Sequence, residues 1–516
     1  MLKKLLKLNH SRKNHAGPDT TMSGGKEYPQ ISFFLEENLQ SLTNMFGENS
    51  DMALRRMHAE DGLHAAIVFI NTLVDKSILD LHVAKPIQME LEKYSEEIQD
   101  LPFDIHRIRA TTNSASIVST FKEITDSLLK GNTIVLFQSC NLAMACETSG
   151  GERRSVSEPN MENVVRGPRE AFNESLQTNL GLVRRRLNTH KLQVELMSLG
   201  TISNTPIALL YINQIADAEI VSKVRDRLKQ IHVDGVLESL YIEELIEDRS
   251  YTPFPTIFST ERPDRVAANL LEGRIAILLE GTPISLVVPA TISLFLFSNE
   301  DYYQRYDIAS FLKLLRTFTF ILSFVMPGFY VALLTFHQEM LPTPLLIALT
   351  GQREGVPFGA AIEIVLMELT FEILREAGIR LPKTVGTAVS IVGGLVLGQA
   401  AVEAGLVAPG TVITVALTAV ASFCTPAYNM AIAARLIRFM LLLFSSILGA
   451  FGFFFGVILI FTHLNSLRSF GVPYLAPIIP FHKSGWKDLF VRLPWTKMKT
   501  RPAEVSKKNS IRMKEE

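Results

Sequence analysis

Hydrophobic residues are concentrated in the second half of the chain. Five stretches there contain no Asp, Glu, Lys or Arg, and they cover residues 281–299, 317–338, 384–402, 404–434 and 439–467. A helix of about 20 apolar residues is long enough to cross the hydrocarbon core of a bilayer. The pattern therefore predicts a helical membrane domain over residues 283–482.

Four membrane spans are the favoured interpretation, at residues 317–338, 384–402, 411–425 and 439–463. The stretch at 281–299 contains Pro283 and Pro289, so a broken or interfacial segment is as compatible with it as a continuous helix. If it crosses the membrane, six spans become the alternative. An even number is expected because both termini are predicted to lie in the cytoplasm.

The charge at the two ends of the chain supports that orientation. Residues 483–516 hold ten Lys or Arg against four Asp or Glu, and such basic flanks stay in the cytoplasm. Residues 1–7 lack the apolar core and cleavage site of a secretory signal. We therefore predict a basic, disordered tail and lead-in at 1–49 and a basic cytoplasmic tail at 483–516.

Between these regions, short β-rich runs alternate with amphipathic segments. The candidate strands are Ala65–Ile70, Thr133–Phe137, Leu142–Ala145, Gln193–Met197, Ile207–Ile212 and Ile275–Leu279. The alternation predicts an α/β soluble region of two small βαβ-type subdomains with mixed sheets, at residues 50–158 and 159–282. Their boundary follows the polar, Gly-Gly-centred stretch at 146–159. The uncharged stretch at 196–216 is interpreted as two buried strands around a turn.

One predicted helix of this region, Arg169–Leu187, ends in three consecutive arginines, Arg184 to Arg186. Phe172, Leu176, Leu180 and Val183 form an apolar stripe along it. Cations in a last turn complement the helix dipole, which explains the arginines structurally. A contact with a phosphate or a lipid headgroup is the alternative.

Composition excludes several classes of function. The formal net charge is −1, so nothing favours nucleic-acid binding, while the mean hydropathy of +0.20 agrees with a membrane domain. The three cysteines have neither zinc-ligand nor C-x-x-C spacing. No phosphate loop, zinc-protease or nucleophile-elbow motif is present, so we expect no enzyme activity, metal or cofactor.

Charged residues interrupt the apolar half at residues 351–383. On a helical projection, Glu368, Glu372, Arg375 and Glu376 fall on one face and Glu363 on the opposite side. One interpretation is an interfacial helix with its charges in solvent and Glu372 paired with Arg375.

Two other interpretations place these charges at membrane depth, where such residues usually face a bundle interior or water. Several copies of the helix around an axis would form a ring of glutamates that attracts cations. This hypothesis makes Glu363, Glu368 and Glu372 the candidate ion path and requires a homo-oligomer. An interface to another membrane subunit remains the third interpretation.

Two nearby features leave further alternatives open. Five glycines at residues 386–405 favour close helix packing, with a gate or pore lining as the alternative. Arg435 and Arg438 lie between two apolar runs. They mark either a membrane edge or a helix interior with a carboxylate partner.

Several long motifs resemble the A subunit of spore germinant receptors, the GerA family. They are NVVRGPREAFNES at 163–175, SYTPFPT at 250–256, GRIAILLEGTP at 273–283, GQREGVPF at 351–358, residues 363–382 ending in LREAGIRLP, and GLVLGQAA at 394–401. Together they cover most of residues 50–480 in the family's order. One departure is Gly359 where the family often has a second proline after Pro357 and Phe358.

The resemblance implies a subunit of a nutrient receptor in the inner membrane of bacterial endospores. In this family the A subunit works with a transporter-like B subunit and a lipoprotein C subunit, and is thought to oligomerise into a nutrient-gated cation channel. The motif residues implied to have structural or coupling roles are Asn163, Arg166, Gly167, Pro168, Glu174, Pro253, Phe254, Pro255, Glu280, Gly281, Arg353, Glu354, Pro357, Arg375 and Glu376. A non-conducting membrane scaffold, or an accessory stage V sporulation homologue, is the alternative.

Overall fold

The computed structural model describes residues 29–58, 64–97, 114–150, 159, 162, 164–382, 393–481, 483–486, 488–502, 504–506 and 509–513. Residues 1–28 of the tail and lead-in predicted at 1–49, and residues 384–392 of the span predicted at 384–402, lie outside these residues. The prediction of a disordered lead-in is wrong for Leu35–Phe46, which is a helix whose apolar side is buried.

The first subdomain is a sheet covered by helices on both faces. Its strands are β1 (Met52–His58), β2 (His64–Ile70), β3 (Ala115–Val118), β4 (Thr133–Phe137) and β5 (Ala143–Cys146), in the order β1-β2-β4-β5-β3. Its helices are α1 (Leu35–Phe46), α2 (Lys76–Ile78), α3 (Lys85–Glu97) and α4 (Phe121–Leu129), with a π-helical segment at Leu79–Ala84. Alternate residues of β2 point to opposite faces, so Ala66 and Val68 pack with α1 and α4 while Ile67 and Phe69 face the segment from α2 to α3.

The second subdomain repeats this plan. Its strands are β6 (Leu192–Leu199), β7 (Thr205–Ile212), β8 (Phe258–Thr260), β9 (Ile275–Leu279) and β10 (Ser285–Val288), in the order β6-β7-β9-β10-β8. Its helices are α5 (Leu176–Arg186), α6 (Ala218–Lys229), α7 (Ser239–Ile246) and α8 (Pro263–Leu271). One face of the sheet packs on α5 and α8 and the other on α6 and α7. The two sheets therefore share one strand order.

The predicted α/β class of the N-terminal region is confirmed. The predicted βαβ-type pairing of its strands is wrong. All pairs among the described strands of both sheets are antiparallel, whereas βαβ units would have given parallel neighbours. The hairpin predicted at 196–216 is present as β6 and β7. The boundary predicted at residue 282 is wrong, because β10 pairs with β9 and β8 and belongs to the second sheet.

The same pairing excludes a membrane span at 281–299. This stretch forms β10 and the short helix α9 (Ile292–Leu296). Its apolar side chains are buried because they complete the core of the second subdomain, where Val287 and Phe295 belong to the same cluster. The structure thus explains the apolar run without lipid.

The second half of the chain is helical, as predicted. Its helices are α10 (Tyr306–Phe336), α11 (Thr343–Gly351), α12 (Ala360–Arg380), α13 (Gly398–Glu403), α14 (Pro409–Phe423) and α15 (Tyr428–Ser466). Among the described residues, α10 and α15 are long and apolar enough to cross a membrane, and α14 is a shorter apolar helix. These two long helices pack along each other, and α14 and α12 pack against α10.

The C-terminal segment folds back onto the rest of the chain. It contains the short helix α16 (Lys483–Trp486), and the Asp488 carboxylate lies 2.8 Å from the Lys313 ammonium on α10. The hydroxyl of Ser506 donates to the Ile215 carbonyl at 3.1 Å, which reaches the second subdomain. The described part of the predicted basic tail is therefore packed against the protein.

A buried ion pair joins the two subdomains. The Arg184 Nε donates to the Asp51 carboxylate at 3.0 Å, and both side chains are at most 2% exposed. Thr72 also donates to Asp51, at 2.9 Å. At the same boundary, the Ser50 amide donates to the Val194 carbonyl at 2.9 Å. The sequence left open whether Arg184 is a last-turn cation or contacts a phosphate or lipid headgroup, and the structure shows it as an internal residue paired with Asp51.

Gly449 is required by the packing of the two long helices. Its φ of +60° interrupts α15, and a Cβ atom there would lie 2.7 Å from the Cβ of Phe336 on α10. Left-handed backbone is strained for other residues. We predict that Gly449→Ala lowers the free energy of unfolding in detergent by roughly 1–3 kcal/mol.

Gly359→Ala is the matched control for this prediction. Among the described residues, no atom beyond the chain neighbours of Gly359 lies within 4 Å of a Cβ built there, and its φ is −69°. Chemical denaturation of both variants checks the expectation. Equal stability of the two variants would show that the interruption of α15 does not depend on glycine.

Candidate functional site

The charged helix predicted within residues 351–383 is α12. It begins after Pro357 and Gly359, and the Leu381–Pro382 step ends it because the residue before a proline disfavours helical backbone. Glu368 and Glu372 are four residues apart and share one face of α12, while Arg435 and Arg438 are three apart and share one face of α15. The structure brings these two faces together.

Five charged side chains meet between α12 and α15. Arg438 Nη2 lies 3.0 Å from both Glu368 Oε2 and Glu372 Oε1, and Arg435 Nη1 lies 3.2 Å from Glu372 Oε2. Arg375 also donates to Glu372. We call Glu368, Glu372, Arg375, Arg435 and Arg438 the α12–α15 charge cluster.

Two members of the charge cluster are sealed from solvent, and the other three are partly exposed. The Glu368 side chain is fully buried and that of Arg438 is 2% exposed, whereas Glu372 is 23% exposed. Neither Glu368 oxygen has a hydrogen bond among the described residues, so Arg438 stabilises it through charge alone. Buried charges are tolerated only when paired. The cluster therefore ties α12 to α15.

Glu363 forms a second buried connection, on the other side of α12. It pairs with Arg353 at 3.0 Å and accepts hydrogen bonds from the Ala408 amide at 2.9 Å and the Thr411 hydroxyl at 3.0 Å. Ala408 and Thr411 are at the start of α14, where helix amide groups lack internal partners. Glu363 thus caps α14 from a neighbouring helix, and its side chain is fully buried.

Glu376 belongs to the charged face predicted for α12 but lies outside the charge cluster. It pairs with Arg380 on its own helix at 2.7 Å, and the two side chains are 61% and 78% exposed. The interpretation that the charges of α12 all face solvent is therefore wrong for Glu368, whereas Glu376 is exposed. The predicted pair of Glu372 with Arg375 is confirmed.

Comparison with known proteins assigns the chain to a family. It matches the family described as Bacillus/Clostridium GerA spore germination protein over residues 40–504. The chain belongs to this family. It is 47% identical to spore germination protein KA of Bacillus subtilis (strain 168), over 94% of this chain and 90% of that protein. It is also 37% identical to spore germination protein GerLA of Bacillus cereus, over 93% of this chain and 98% of that protein.

The chain is also similar to a solved structure. That structure is the N-terminal domain of the A subunit of the Bacillus megaterium spore germinant receptor GerK3, at 31% identity and a TM-score of 0.39. The similarity covers 52% of this chain and 99% of that domain.

Several GerA-motif residues connect elements of the second subdomain. The Glu280 carboxylate accepts the Leu176 amide at the start of α5 at 2.7 Å, and the Gly281 amide donates to the Glu174 carbonyl at 2.7 Å. The φ of Gly281 is +89°, which favours glycine at this turn. These GerA residues therefore fix the start of α5 to the end of β9.

The GerA motif at 163–175 also contacts the residues that lead into α10. The Arg166 amide donates to Glu300 at 3.3 Å, and the Pro168 carbonyl accepts Arg262 at 3.1 Å. A Cβ on Gly167, whose φ is +139°, would lie 2.8 Å from the Tyr303 ring. Asn163 of the same motif lies outside the described residues.

The GerA motif at 250–256 contacts the end of α15. Phe254, between Pro253 and Pro255, is buried and stacks on His463 with ring centroids 6.1 Å apart. In the GerA motif at 351–358, Arg353 pairs with Glu363 as described above, while Glu354 and Pro357 are exposed. The soluble half is thus connected to both long helices.

The ion pair between Lys313 and Asp488 was not predicted from the sequence. Lys313 is fully buried, and its ammonium also lies 4.6 Å from the Phe297 ring centroid. It precedes the uncharged stretch at 317–338 and so resembled an ordinary flanking cation. A lysine inside an apolar helix indicates a buried charge that needs a partner. That partner lies 175 residues away in sequence, so the pattern along the helix does not identify it.

Glu243 is a buried acid whose titration should affect stability. It is 8% exposed, and burial raises its pKa from 4.5 to about 7, with smaller contributions from Glu247 and Glu244. Between pH 4.5 and 7 the folded chain then binds more protons than the unfolded chain. The free energy of unfolding should therefore fall as pH rises through this interval, by roughly 2–3 kcal/mol from this group.

Glu243→Gln should remove this pH dependence and raise stability above neutral pH, because the amide carries no charge to desolvate. Denaturation of wild type and variant at several pH values checks the slope. Glu244→Gln is the matched control, since Glu244 is exposed on the same helix. If the wild type and Glu243→Gln had the same slope, Glu243 would titrate normally.

Proposed function

We propose that this GerA-family chain is the A-type subunit of a nutrient germinant receptor in the inner spore membrane. Family membership supports the receptor role, and relatives carry the names of spore germination proteins. The two long apolar helices, α10 and α15, support a membrane location. The partners proposed from the family are a transporter-like B subunit, a lipoprotein C subunit and membrane lipid.

We further propose that several copies enclose a cation path beside α12. The observation that carries this step is the charge cluster, which places two carboxylates and three guanidinium groups between two helices of the helical half. Charges at such depth are costly and usually mark a functional pathway. Glu363, Glu368 and Glu372 then lie next to the path, with Glu363 and Glu368 paired inside each copy.

The pairing suggests how the path is kept closed. Glu368 and Glu372 neutralise part of the positive charge of Arg375, Arg435 and Arg438, and they hold α12 on α15. A movement of α12 would uncover carboxylates and allow water and cations between the helices. Connections of the GerA motifs to the start of α10 and the end of α15 offer a route from the soluble half to this movement.

Cation flux from reconstituted vesicles tests the proposal. Purified chain is placed in potassium-loaded vesicles with the B and C subunits, and a panel of amino acids, sugars and nucleosides is added. We expect potassium release with at least one compound. The variant Glu368→Gln with Glu372→Gln should release less, because it leaves three uncompensated cations that repel potassium.

Glu376→Gln is the matched control, since Glu376 lies on the same helix but pairs only with exposed Arg380. It should conduct like the wild type. Unchanged flux in the double variant would contradict the placement of the path beside α12.

The internal pairing of Glu363 and Glu368 also favours a second candidate, a non-conducting scaffold that holds the other subunits. Its glutamates would serve only to pack helices. A scaffold gives no potassium release with any compound, although the B and C subunits still copurify with it. The vesicle experiment therefore separates the two functions.

A further inference from the structure

A groove of about 340 Å³ lies where α15 ends. Its walls come from α6, from the segment after α7 and from the short hairpin that follows α15. Four basic side chains line this groove against one carboxylate: Lys223, Arg227, Arg249 and Arg468 against Asp248. The groove is separate from the charge cluster of α12 and α15.

One of these four cations already has a partner. Arg227 pairs with Asp248 and donates to the Ile246 carbonyl at 2.5 Å, and its guanidinium lies 4.7 Å from the Phe470 ring centroid. Asp248 also accepts the Gly471 amide at 3.3 Å. Arg227 and Asp248 therefore form a fixed wall of the groove.

The other three cations, Lys223, Arg249 and Arg468, have no ion pair within the described residues. The Lys223 ammonium lies 3.6 Å from the position of a Cβ at Gly471, and Arg468 Nη1 lies 3.4 Å from the Gly471 carbonyl. Arg249 Nη1 donates to the Ser466 hydroxyl at 3.0 Å. All three residues are exposed, so their remaining N–H groups are open to a ligand. Like charges gathered here attract an anion.

The groove lies at the depth of lipid headgroups if α15 crosses a membrane. Ile458 and Phe461 are exposed apolar residues of its last turns, and Ser466 is its last residue. Five residues of helix separate Phe461 from Ser466, which is about 7 Å along the axis. The headgroup layer on each side of the hydrocarbon core is about 5–7 Å thick. The end of α15 therefore reaches this layer when Phe461 borders the hydrocarbon.

Tyr251 supports the same depth. It is 96% exposed and precedes Thr252, whose hydroxyl lies 2.9 Å from His463 Nε2 on the last turns of α15. Tyrosine is enriched where a membrane meets water. An exposed aromatic ring thus lies beside the groove at the level expected for headgroups.

We propose that the groove binds the phosphate of an anionic phospholipid through Lys223, Arg249 and Arg468. Arginine and lysine both bind phosphate oxygens through charge-assisted hydrogen bonds. Free phosphate has the same oxygens, but the acyl chains of a lipid would also cover the exposed Ile458 and Phe461 of α15. The proposal rests on the membrane location proposed above and is independent of cation flux.

A phosphate in the groove would join three segments of the chain. Lys223 belongs to α6, Arg249 follows α7, and Arg468 follows α15. Their mutual repulsion would be replaced by attraction to one anion. The lipid would therefore stabilise the contact between the second subdomain and the end of α15.

Thermal unfolding of the full chain in a neutral detergent tests this site, with phosphatidylglycerol as the probe. Phosphatidylcholine, whose phosphate charge is balanced by choline, and sodium phosphate are added at equal concentration for comparison. We expect a saturable rise of the melting temperature with phosphatidylglycerol, a smaller rise with phosphatidylcholine and none with sodium phosphate. Because the measurement involves no flux, its failure would leave the vesicle experiment unaffected.

The variant that combines Lys223→Gln, Arg249→Gln and Arg468→Gln should need about a hundredfold more phosphatidylglycerol for half saturation, since each cation near an anionic lipid contributes about fivefold. Without lipid it should unfold at the wild-type temperature, because these three cations have no ion pair in the described part of the chain. Lys223→Gln alone should need about fivefold more lipid. This single variant keeps the test decisive if the triple variant does not fold.

The matched control combines Arg185→Gln, Lys191→Gln and Lys229→Gln. It removes the same charge from exposed residues of the second subdomain outside the groove, so it should bind phosphatidylglycerol like the wild type. Wild-type binding by the groove variants, or an equal loss in the control, would overturn the proposal. An equal rise with sodium phosphate or with phosphatidylcholine would overturn the assignment to an anionic lipid.

Discussion

Replacing Arg438 by leucine is expected to destabilise the helical half by about 3–5 kcal/mol. Arg438 is 2% exposed and lies 3.0 Å from both Glu368 and Glu372. Without it, the fully buried Glu368 keeps no cation within ion-pair distance in the described residues. A buried carboxylate without a partner carries its full desolvation cost. Chemical denaturation of the full chain in detergent measures the loss.

The control for this prediction is Arg380→Leu. Arg380 and its partner Glu376 are 78% and 61% exposed, and exposed ion pairs contribute little. The double variant Glu368→Leu with Arg438→Leu should recover much of the stability, since two apolar side chains replace a buried pair. If Arg438→Leu were as stable as Arg380→Leu, the charge cluster would not hold α12 on α15.

Arg184→Leu should cost a similar amount, about 3–5 kcal/mol, in the soluble half. The variant leaves the Asp51 carboxylate buried, with the neutral Thr72 hydroxyl as its remaining partner in the part of the chain that the structure describes. Because Arg184 belongs to α5 and Asp51 precedes β1, the loss should loosen the contact between the two subdomains. Hydrogen exchange should increase first at the boundary formed by Ser50 and Val194.

Arg185→Leu is the control, on the same helix and in the next position. Arg185 is exposed, and its hydrogen bond to the Gly150 carbonyl is 3.4 Å long. It should change neither stability nor exchange at the boundary. Comparable effects of the two substitutions would mean that the ion pair with Asp51 does not join the subdomains.

The soluble fold could be predicted where the sequence pattern is local. The strands at Thr133–Phe137 and Ile275–Leu279 have the predicted bounds, because their apolar runs are buried on both faces. The strand β1 was missed, since its exposed Leu54, Arg55 and Arg56 give no apolar run. The common strand order of the two sheets also went unnoticed, because pairing depends on distant residues.

The candidate site was predicted in part. The unusual carboxylates of α12 could be recognised because charges stand out among apolar residues. The partners of Glu368 and Glu372 are separated from them by more than 60 residues, and the sequence left Arg435 and Arg438 undecided. Glu363 was assigned to the path, yet it caps α14, a role that depends on where two helices meet. Spacing along one helix does not contain such information.

The central claim, that several copies enclose a cation path, is tested most directly by particle mass. Native mass spectrometry of the detergent-solubilised chain, or light scattering with the detergent contribution subtracted, gives the number of copies. We predict a particle of several identical chains. A particle containing one copy of this 57.5 kDa chain would contradict the claim.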